Sequence, residues 1–460
     1  MGEWDHQAGR GPAITTHDQL PDEFADLVEL MDEAPEGGVD PLLRTARRRR
    51  GLIVAAIVIA VVLVATGGYT GWALTAPPPV PVVQTQDPSV PRPAAAALAL
   101  PAQGASAIAV TGADEYLGPA TGAPWATSGT DDPRPIASIS KLITALVILD
   151  AKPLADADDP GPTIWFDKAA HDLYDKYYVM GATIAAMPIG SSMSERDALA
   201  TMLIPSACNY AEAVSTWAFG SQSGFLDATR RWLGANGLTG TTIVEPTGIS
   251  PRNSSTPSDL MKIGALAAAQ PTIEKIAATS SLSLPGPGFM ANTNDLLGSD
   301  GVTGLKTGNL GAGNFNLLYT ASLDVGAAQP LSVTGVLLGG ATHDAVNRDV
   351  VALLDSIRAG FRTVPLATAG QPVGSFTTPW GSRARMVIAE NASIFTWSDT
   401  PITRTMTTRT PTAYEDDEVI GSITWTAGPN TTSVPIEIEG TIAPPTEWWR
   451  LTHPLELGAE

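Results

Sequence analysis

Cysteine is all but absent from this chain: its 460 residues include one, Cys208. An internal disulfide framework and a cysteine-based zinc site are both excluded. Histidine is scarce too, with five residues, of which His6 and His17 fall close to the N-terminus. That leaves little for a Ser-His-Asp triad or a multi-histidine centre, so neither metal nor organic cofactor is expected. Basic residues are outnumbered, 27 Lys and Arg against 47 Asp and Glu, for a formal charge of −20. Nucleic-acid binding needs clustered Lys and Arg on phosphate, and that class is excluded as well. What the chain has in quantity is apolar residues, 44% of the total, enough to bury a core in each of two or three domains.

The charge is unevenly distributed. Residues 1–43 hold eleven acids and one base, Arg10, whereas residues 44–50 hold five arginines and no acid. The uncharged run GLIVAAIVIAVVLVATGGYTGWAL follows at 51–74. As a helix it would rise about 36 Å, enough for a hydrocarbon core of roughly 30 Å. Arg44 and Arg47 to Arg50 flank one end, and Tyr69 and Trp72 lie towards the other. The positive-inside rule and the aromatic interface belt then predict a membrane-spanning helix with the N-terminus cytoplasmic and everything after Leu74 outside. The rival, a cleaved signal peptide, would have an unusually long charged start. Residues 1–50 are expected to be a disordered acidic tail. Within it Phe24, Leu27, Val28 and Met31 share one helical face and suit a short helix for a cytoplasmic partner. Residues 75–102, dense in proline and alanine, read as a stiff linker that lifts the next domain off the membrane.

From about residue 103 the text becomes that of a folded domain. Ser138 and Lys141 form an S-x-x-K pair at the start of the helical pattern LITALVILD. Positions i and i+3 share a helix face one turn apart, so the amine can reach the hydroxyl. A serine hydroxyl needs a base to remove its proton, and a buried lysine can be that base. The chain has seven lysines, and this is its one S-x-x-K. Later come Ser206-Ala207-Cys208 and Lys306-Thr307-Gly308-Asn309. Taken singly, Ser206 reads as readily as a helix cap and Lys306 as a surface charge.

Three motifs in this order, S-x-x-K, an S-x-N-like triplet and K-T-G, resemble those of the penicilloyl-serine transferases. Over about residues 105–365 the chain resembles the low-molecular-weight penicillin-binding proteins, the serine-type D-alanyl-D-alanine carboxypeptidases. The stretches Glu245 to Ile249, Asn253 with Ser255 to Leu260, Asn292 to Asn294, Thr334 to Gly340 and the helix with Arg348 support it. The resemblance implies an α/β (α+β) fold: a β-lactamase/DD-peptidase-like antiparallel sheet flanked by helices, assigned to 103–365. Residues 366–460 alternate short β-rich runs with Gly, Pro and Asn turns, which predicts a small C-terminal all-β domain and tail. Trp448 and Trp449 near the end are expected to pack.

Roles follow from the resemblance and its chemistry. Ser138 would attack the carbonyl of the penultimate D-Ala, Lys141 would take its proton, and Ser206 would relay a proton to the leaving amine. Cys208, Lys306, Thr307, Gly308 and Asn309 would line the substrate, with Lys306 and Thr307 on its terminal carboxylate. The backbone N–H groups of Ser138 and Asn309 would form the oxyanion hole. The partners implied are a peptidoglycan stem peptide, β-lactams and a bacterial cell membrane. Cys208 departs from the usual Asn of the second motif, although some members of the resembled family carry Cys there. A thiol is only a weak donor and acceptor, and Asn209 is turned about 100° away along a helix. The expected activity is therefore a D,D-carboxypeptidase. A D,D-transpeptidase or endopeptidase of the same mechanism, or a catalytically weak wall-binding protein, is the alternative. A β-lactamase is disfavoured, because the E-x-x-L-N-type deacylating glutamate is missing after Ser206.

Overall fold

The computed structural model describes residues 41–118 and 124–458, with side chains from residue 48 onward. The amphipathic stretch 21–33 and its cytoplasmic partner lie outside the described residues. Two compact units are present: residues up to Val80 together with 444–460, and residues 81–443.

In the first unit, helix α1 runs Pro41–Thr75, so residues 41–50, expected to be disordered, are helical. The helix extends because Leu42, Leu43 and the arginines are good helix formers with no proline after position 41. Its segment Arg48–Thr75 is long and apolar enough to cross a membrane, and the apolar run from Leu52 to Val64 is exposed. The chain end belongs to this unit and not to the β domain. In the short helix Glu447–Thr452, the Leu451 carbonyl accepts from the Tyr69 hydroxyl at 2.5 Å. Arg450 caps the end of α1 through the Ala76 carbonyl at 2.7 Å. Trp449 and Leu457 pack with Ala73 and Ala76, whereas Trp448 is exposed.

The second unit contains a mixed body of helices and sheet, which carries the three motifs, and the β domain. It begins with β1 (Val82–Thr85), β2 (Ala105–Thr111) and β3 (Ala126–Ser128). Helices α2 (Ser140–Ala151), α3 (Lys168–Val179), α4 (Glu195–Leu203), α5 (Cys208–Phe219) and α6 (Pro257–Ala268) follow. Then come β4 (Val302–Asn309), β5 (Phe315–Leu323), β6 (Leu331–Gly340) and α7 (His343–Gly360). The strands form one antiparallel sheet in the order β4-β5-β6-β2-β3. Helix α2 is apolar on all sides and is accordingly buried along Ser140 to Leu149, at the centre of a core shared with α4, α5 and α6. On the other face of the sheet α7 presents Val346, Val350, Leu353, Leu354 and Ile357 at helical spacing. This is the antiparallel sheet flanked by helices that the motifs imply.

The β domain holds β7 (Phe361–Ala367), β8 (Pro372–Thr377), β9 (Arg383–Ile388), β10 (Ala392–Trp397), β11 (Ile402–Thr408), β12 (Val419–Ala427) and β13 (Asn430–Glu439). Strands β7 and β10 pair, and their inward residues meet those of a six-stranded sheet, β1-β8-β9-β13-β12-β11. Alternation along β12 and β13 sends Ile423, Trp425, Val434, Ile436 and Ile438 into that core.

The linker is the element that departs most from expectation. Strand β1 adds to the free edge of β8, with Gln84 opposite Ser375. Beyond it Gln86 N–H donates to the Val373 carbonyl at 2.7 Å and Asp87 pairs with Arg404 at 2.8 Å. Ala96 N–H reaches Ser398 Oγ at 2.8 Å, and Leu98 and Leu100 pack on the second core. Extended proline-rich backbone makes no internal hydrogen bonds, so its N–H and C=O groups are free to satisfy a neighbouring edge. The segment is a strap, not a free stalk.

Trp425 is fully buried in the β-domain core. Truncation to Ala should cost about 3–5 kcal/mol of that domain's stability. Denaturant unfolding followed by far-UV signal reads this; a loss below about 1 kcal/mol would show that the sandwich does not depend on that packing.

Candidate active site

The nucleophile position is built by the turn that leads into α2. A short 3-10 turn, Ala137–Ile139, carries Ser138 and runs directly into the helix. Ala137 is held at φ +51°, a left-handed value that costs a non-glycine residue about 1–3 kcal/mol. Two close approaches hold it there. A Cβ on Gly248 would lie 1.9 Å from the Ala137 carbonyl oxygen, and one on Gly308 would lie 2.6 Å from that of Ile136. The glycines therefore let the 245–253 loop and strand β4 clamp the turn from two sides. Gly308, expected to admit substrate, serves the packing of the turn as well.

Lys141 stands one helical turn after Ser138 and is fully buried. Its Nζ lies 3.0 Å from Ser138 Oγ, 2.7 Å from the Thr247 carbonyl oxygen and 3.3 Å from Cys208 Sγ. Three elements thus supply the three hydrogen-bond partners that an ammonium needs when it leaves water. The Thr247 carbonyl is itself held in place. The Glu245 carboxylate accepts from the N–H groups of Thr247, Gly248 and Ser250 and from the Thr247 hydroxyl. Asn253 Nδ2 donates to the Glu245 carbonyl and to Ser140 Oγ, tying the loop to the start of α2. Glu245, Thr247 and Asn253 carried no assigned role in the sequence, although each sits in a stretch that supports the resemblance.

The second motif precedes and opens α5. Ser206 has φ +69°, and its buried hydroxyl has no hydrogen-bond partner among the described residues. Cys208 begins the helix, buried, with its sulfur on Lys141. Asn209 faces elsewhere: its amide bonds both the N–H and the C=O of Ala185, pinning the 181–187 wall of the cleft. It does not replace the missing Asn side chain.

Strand β4 brings the third motif. Thr307 Oγ1 lies 2.6 Å from Thr293 Oγ1, and Lys306 Nζ donates to the same Thr293 hydroxyl at 3.2 Å. A cavity of about 470 Å³ is lined by Ser138, Ser206, Cys208, Thr293, Thr307, Gly308 and Asn309, among others. Lys141 and Lys306 lie behind this lining, one under Ser138 and the other under Thr293. The Lys306 amine, expected on the substrate carboxylate, points at the Thr293 hydroxyl. Thr293, unassigned in the sequence, therefore belongs to the site, and the signal for it was the Asn292-Thr-Asn294 stretch. Burial, and next the positive charge of Lys141, push the Lys306 amine down to about 7.

Chemically, the cavity presents a serine hydroxyl against a buried amine, a second unpartnered hydroxyl and two threonine hydroxyls with a cation behind them. That set can acylate and can hold an anionic end group.

Gly308→Ala should reduce β-lactam acylation by at least tenfold, because the new methyl must displace the Ser138 turn. Stopped-flow labelling checks it, and unchanged acylation would mean that the turn is not clamped by β4. The Lys306 shift carries a sign. Below about pH 7 the amine is charged, and above it the empty site loses its cation. The affinity of a non-reacting carboxylate ligand should then fall by up to about tenfold per pH unit above 7, while its amide shows no such limb. Competition titrations from pH 6 to 9 read this, and parallel profiles for acid and amide would rule the role out.

Comparison with known proteins agrees with the geometry. Residues 117–334 match the family model described as D-alanyl-D-alanine carboxypeptidase. A D-alanyl-D-alanine endopeptidase of Escherichia coli is 32% identical over 146 residues, 32% of this chain and 44% of that protein. Its Pseudomonas aeruginosa counterpart is 29% identical over 168 residues, 35% of this chain and 51% of that one. The chain thus spans about half the length of the curated relatives that it matches. Among solved structures, penicillin binding protein 5 from Haemophilus influenzae is 17% identical with a TM-score of 0.47, covering 78% of this chain and 100% of its own. With its three motifs on one cavity and its match to the family model, the catalytic segment 117–334 belongs to the D-alanyl-D-alanine carboxypeptidase family.

Proposed function

We propose that the chain is a serine D,D-carboxypeptidase that removes the terminal D-Ala from peptidoglycan stem peptides and is acylated by β-lactams. The observation that carries this reading is the 3.0 Å approach of the Lys141 amine to Ser138 Oγ inside a shell that holds both. In its neutral form Lys141 accepts the Ser138 proton as the oxygen attacks the carbonyl of the penultimate D-Ala. The C–N bond to the last D-Ala breaks, and its nitrogen takes a proton relayed by Ser206 from Lys141. Water then releases the acyl group from Ser138 and restores the resting state. The Ser138 and Asn309 N–H groups receive the negative charge of the tetrahedral oxygen, a contribution of about 10²–10³ in rate per donor. Thr293 and Thr307, backed by Lys306, hold the terminal carboxylate.

Cys208 fits this scheme without replacing the usual Asn. A thiol binds the Lys141 amine only weakly, so the amine keeps its stronger contacts for Ser138 and the Thr247 carbonyl. The second reading, an endopeptidase with the same acylation step, is favoured by the names of the two curated relatives. It differs only in the amine that leaves. For location, α1 would span a bacterial cell membrane with the arginine cluster cytoplasmic and the catalytic segment outside, as the flanking charges favour. The acidic tail would remain in the cytoplasm, available to a partner there.

Incubation with a fluorescent penicillin and with a D-Ala-D-Ala peptide tests the reading. The intact chain should label covalently and release D-Ala. Ser138→Ala should do neither, and Lys141→Ala should slow labelling by about 10²–10⁴ with the fold retained. Absence of both label and D-Ala from the intact chain would remove the enzymatic reading. Release only from cross-linked dipeptide bridges would select the endopeptidase.

A further inference from the structure

A groove of about 840 Å³, larger than the catalytic cavity, lies on the β domain. Its floor is the outer face of four neighbouring strands, β1, β8, β9 and β13. The register sets Gln84 opposite Ser375, Ser375 opposite Arg385 and Arg385 opposite Glu439, in one row across the sheet. In the next row Thr377 faces Arg383. Side chains alternate along each strand, so these six share one face, while Phe376, Ala384 and Met386 go to the core. Four strands at about 4.8 Å spacing give a row roughly 15 Å long.

The composition of this row narrows what it can hold. Apart from Ala384, the lining is polar or glycine. A protein partner would require an apolar centre, which is missing here. Arg385 is engaged by Glu439, whereas Arg383 makes no ion pair among the described residues. The groove therefore offers an uncommitted guanidinium, a second one shared with a carboxylate, an amide and two hydroxyls. Set in a chain of net charge −20, it is a local cationic site. Hydroxyl and amide groups in a row match the hydroxyls of successive sugar rings, and a guanidinium fork matches a carboxylate.

We propose that this groove binds a carboxylate-bearing polysaccharide, namely the glycan strand of the cell wall where its peptides have been removed and the lactyl carboxylates are free. The source of the strand rests on the extracytoplasmic reading above; the site itself is independent of the chemistry at Ser138. Gln84 comes from the strap, so the groove is complete only when β1 is paired.

The test uses the full chain in detergent micelles and fluorescent peptide-free glycan strands, native or with their carboxylates amidated, followed by anisotropy. Native strands should bind at least tenfold more tightly than amidated ones, and more weakly as salt rises. Arg383→Gln removes an exposed, unpaired charge and should weaken binding at least tenfold with penicillin labelling unchanged; Arg385→Gln is the second variant. Three outcomes would each overturn the proposal: no binding by the intact chain, equal binding of amidated strands, or undiminished binding by both variants. Failure of penicillin labelling in the intact chain would speak against the Ser138 reading alone.

Discussion

A lysine amine with no access to water must find a partner for every proton it carries, and much of the catalytic body is arranged around that requirement at Lys141. Its three partners come from the 3-10 turn that leads into its helix, from the first residue of α5 and from a loop between α5 and α6. Moving any of these would strand a buried polar group, at a cost of about 1–3 kcal/mol or more. The turn before α2, the start of α5 and the 245–253 loop are therefore held together at the point where the chemistry is proposed. The loop partner needs its own scaffold, and Glu245 and Asn253 supply it with a fan of short hydrogen bonds. Positioning and stability are here the same set of contacts.

The same constraint accounts for the strained backbone. Ala137 and Ser206 both take left-handed conformations next to the two hydroxyls that face the cavity. Each residue lies where a helix must begin abruptly with its side chain aimed outward. Gly248 and Gly308 make the first of these tolerable by approaching where no side chain could. Beyond them, the two lysines repel each other's charge, and burying Lys306 behind Thr293 makes the site receptive to an anion that would restore the balance.

Much of this was legible in the sequence. Order and residue type in the three motifs singled out Ser138, Lys141, Ser206, Cys208 and residues 306–309; Ser138, Ser206, Cys208 and 307–309 line one cavity, and the two lysines lie behind it. The alternation after residue 366 gave the β domain, and the uncharged run gave the apolar helix. Less legible was whatever depends on where a backbone group ends. Nothing in a proline-rich string says which edge its carbonyls will meet, so the strap read as a stalk. Nothing in Lys306-Thr307 says which side chain reaches the cavity wall, so Thr293 went unassigned. Helix capping by Arg450 and the packing of Trp449 on the end of α1 join residues more than 370 positions apart, beyond the reach of local pattern.

Strand β1 has a consequence for the order in which the chain matures. It is made early, immediately after the apolar helix, yet its partner β8 follows some 290 residues later. Closing so large a loop gains nothing until the distant edge exists. A segment made before most of the chain is thus among the last to be fixed, and the β domain completes its sheet by reaching back to it.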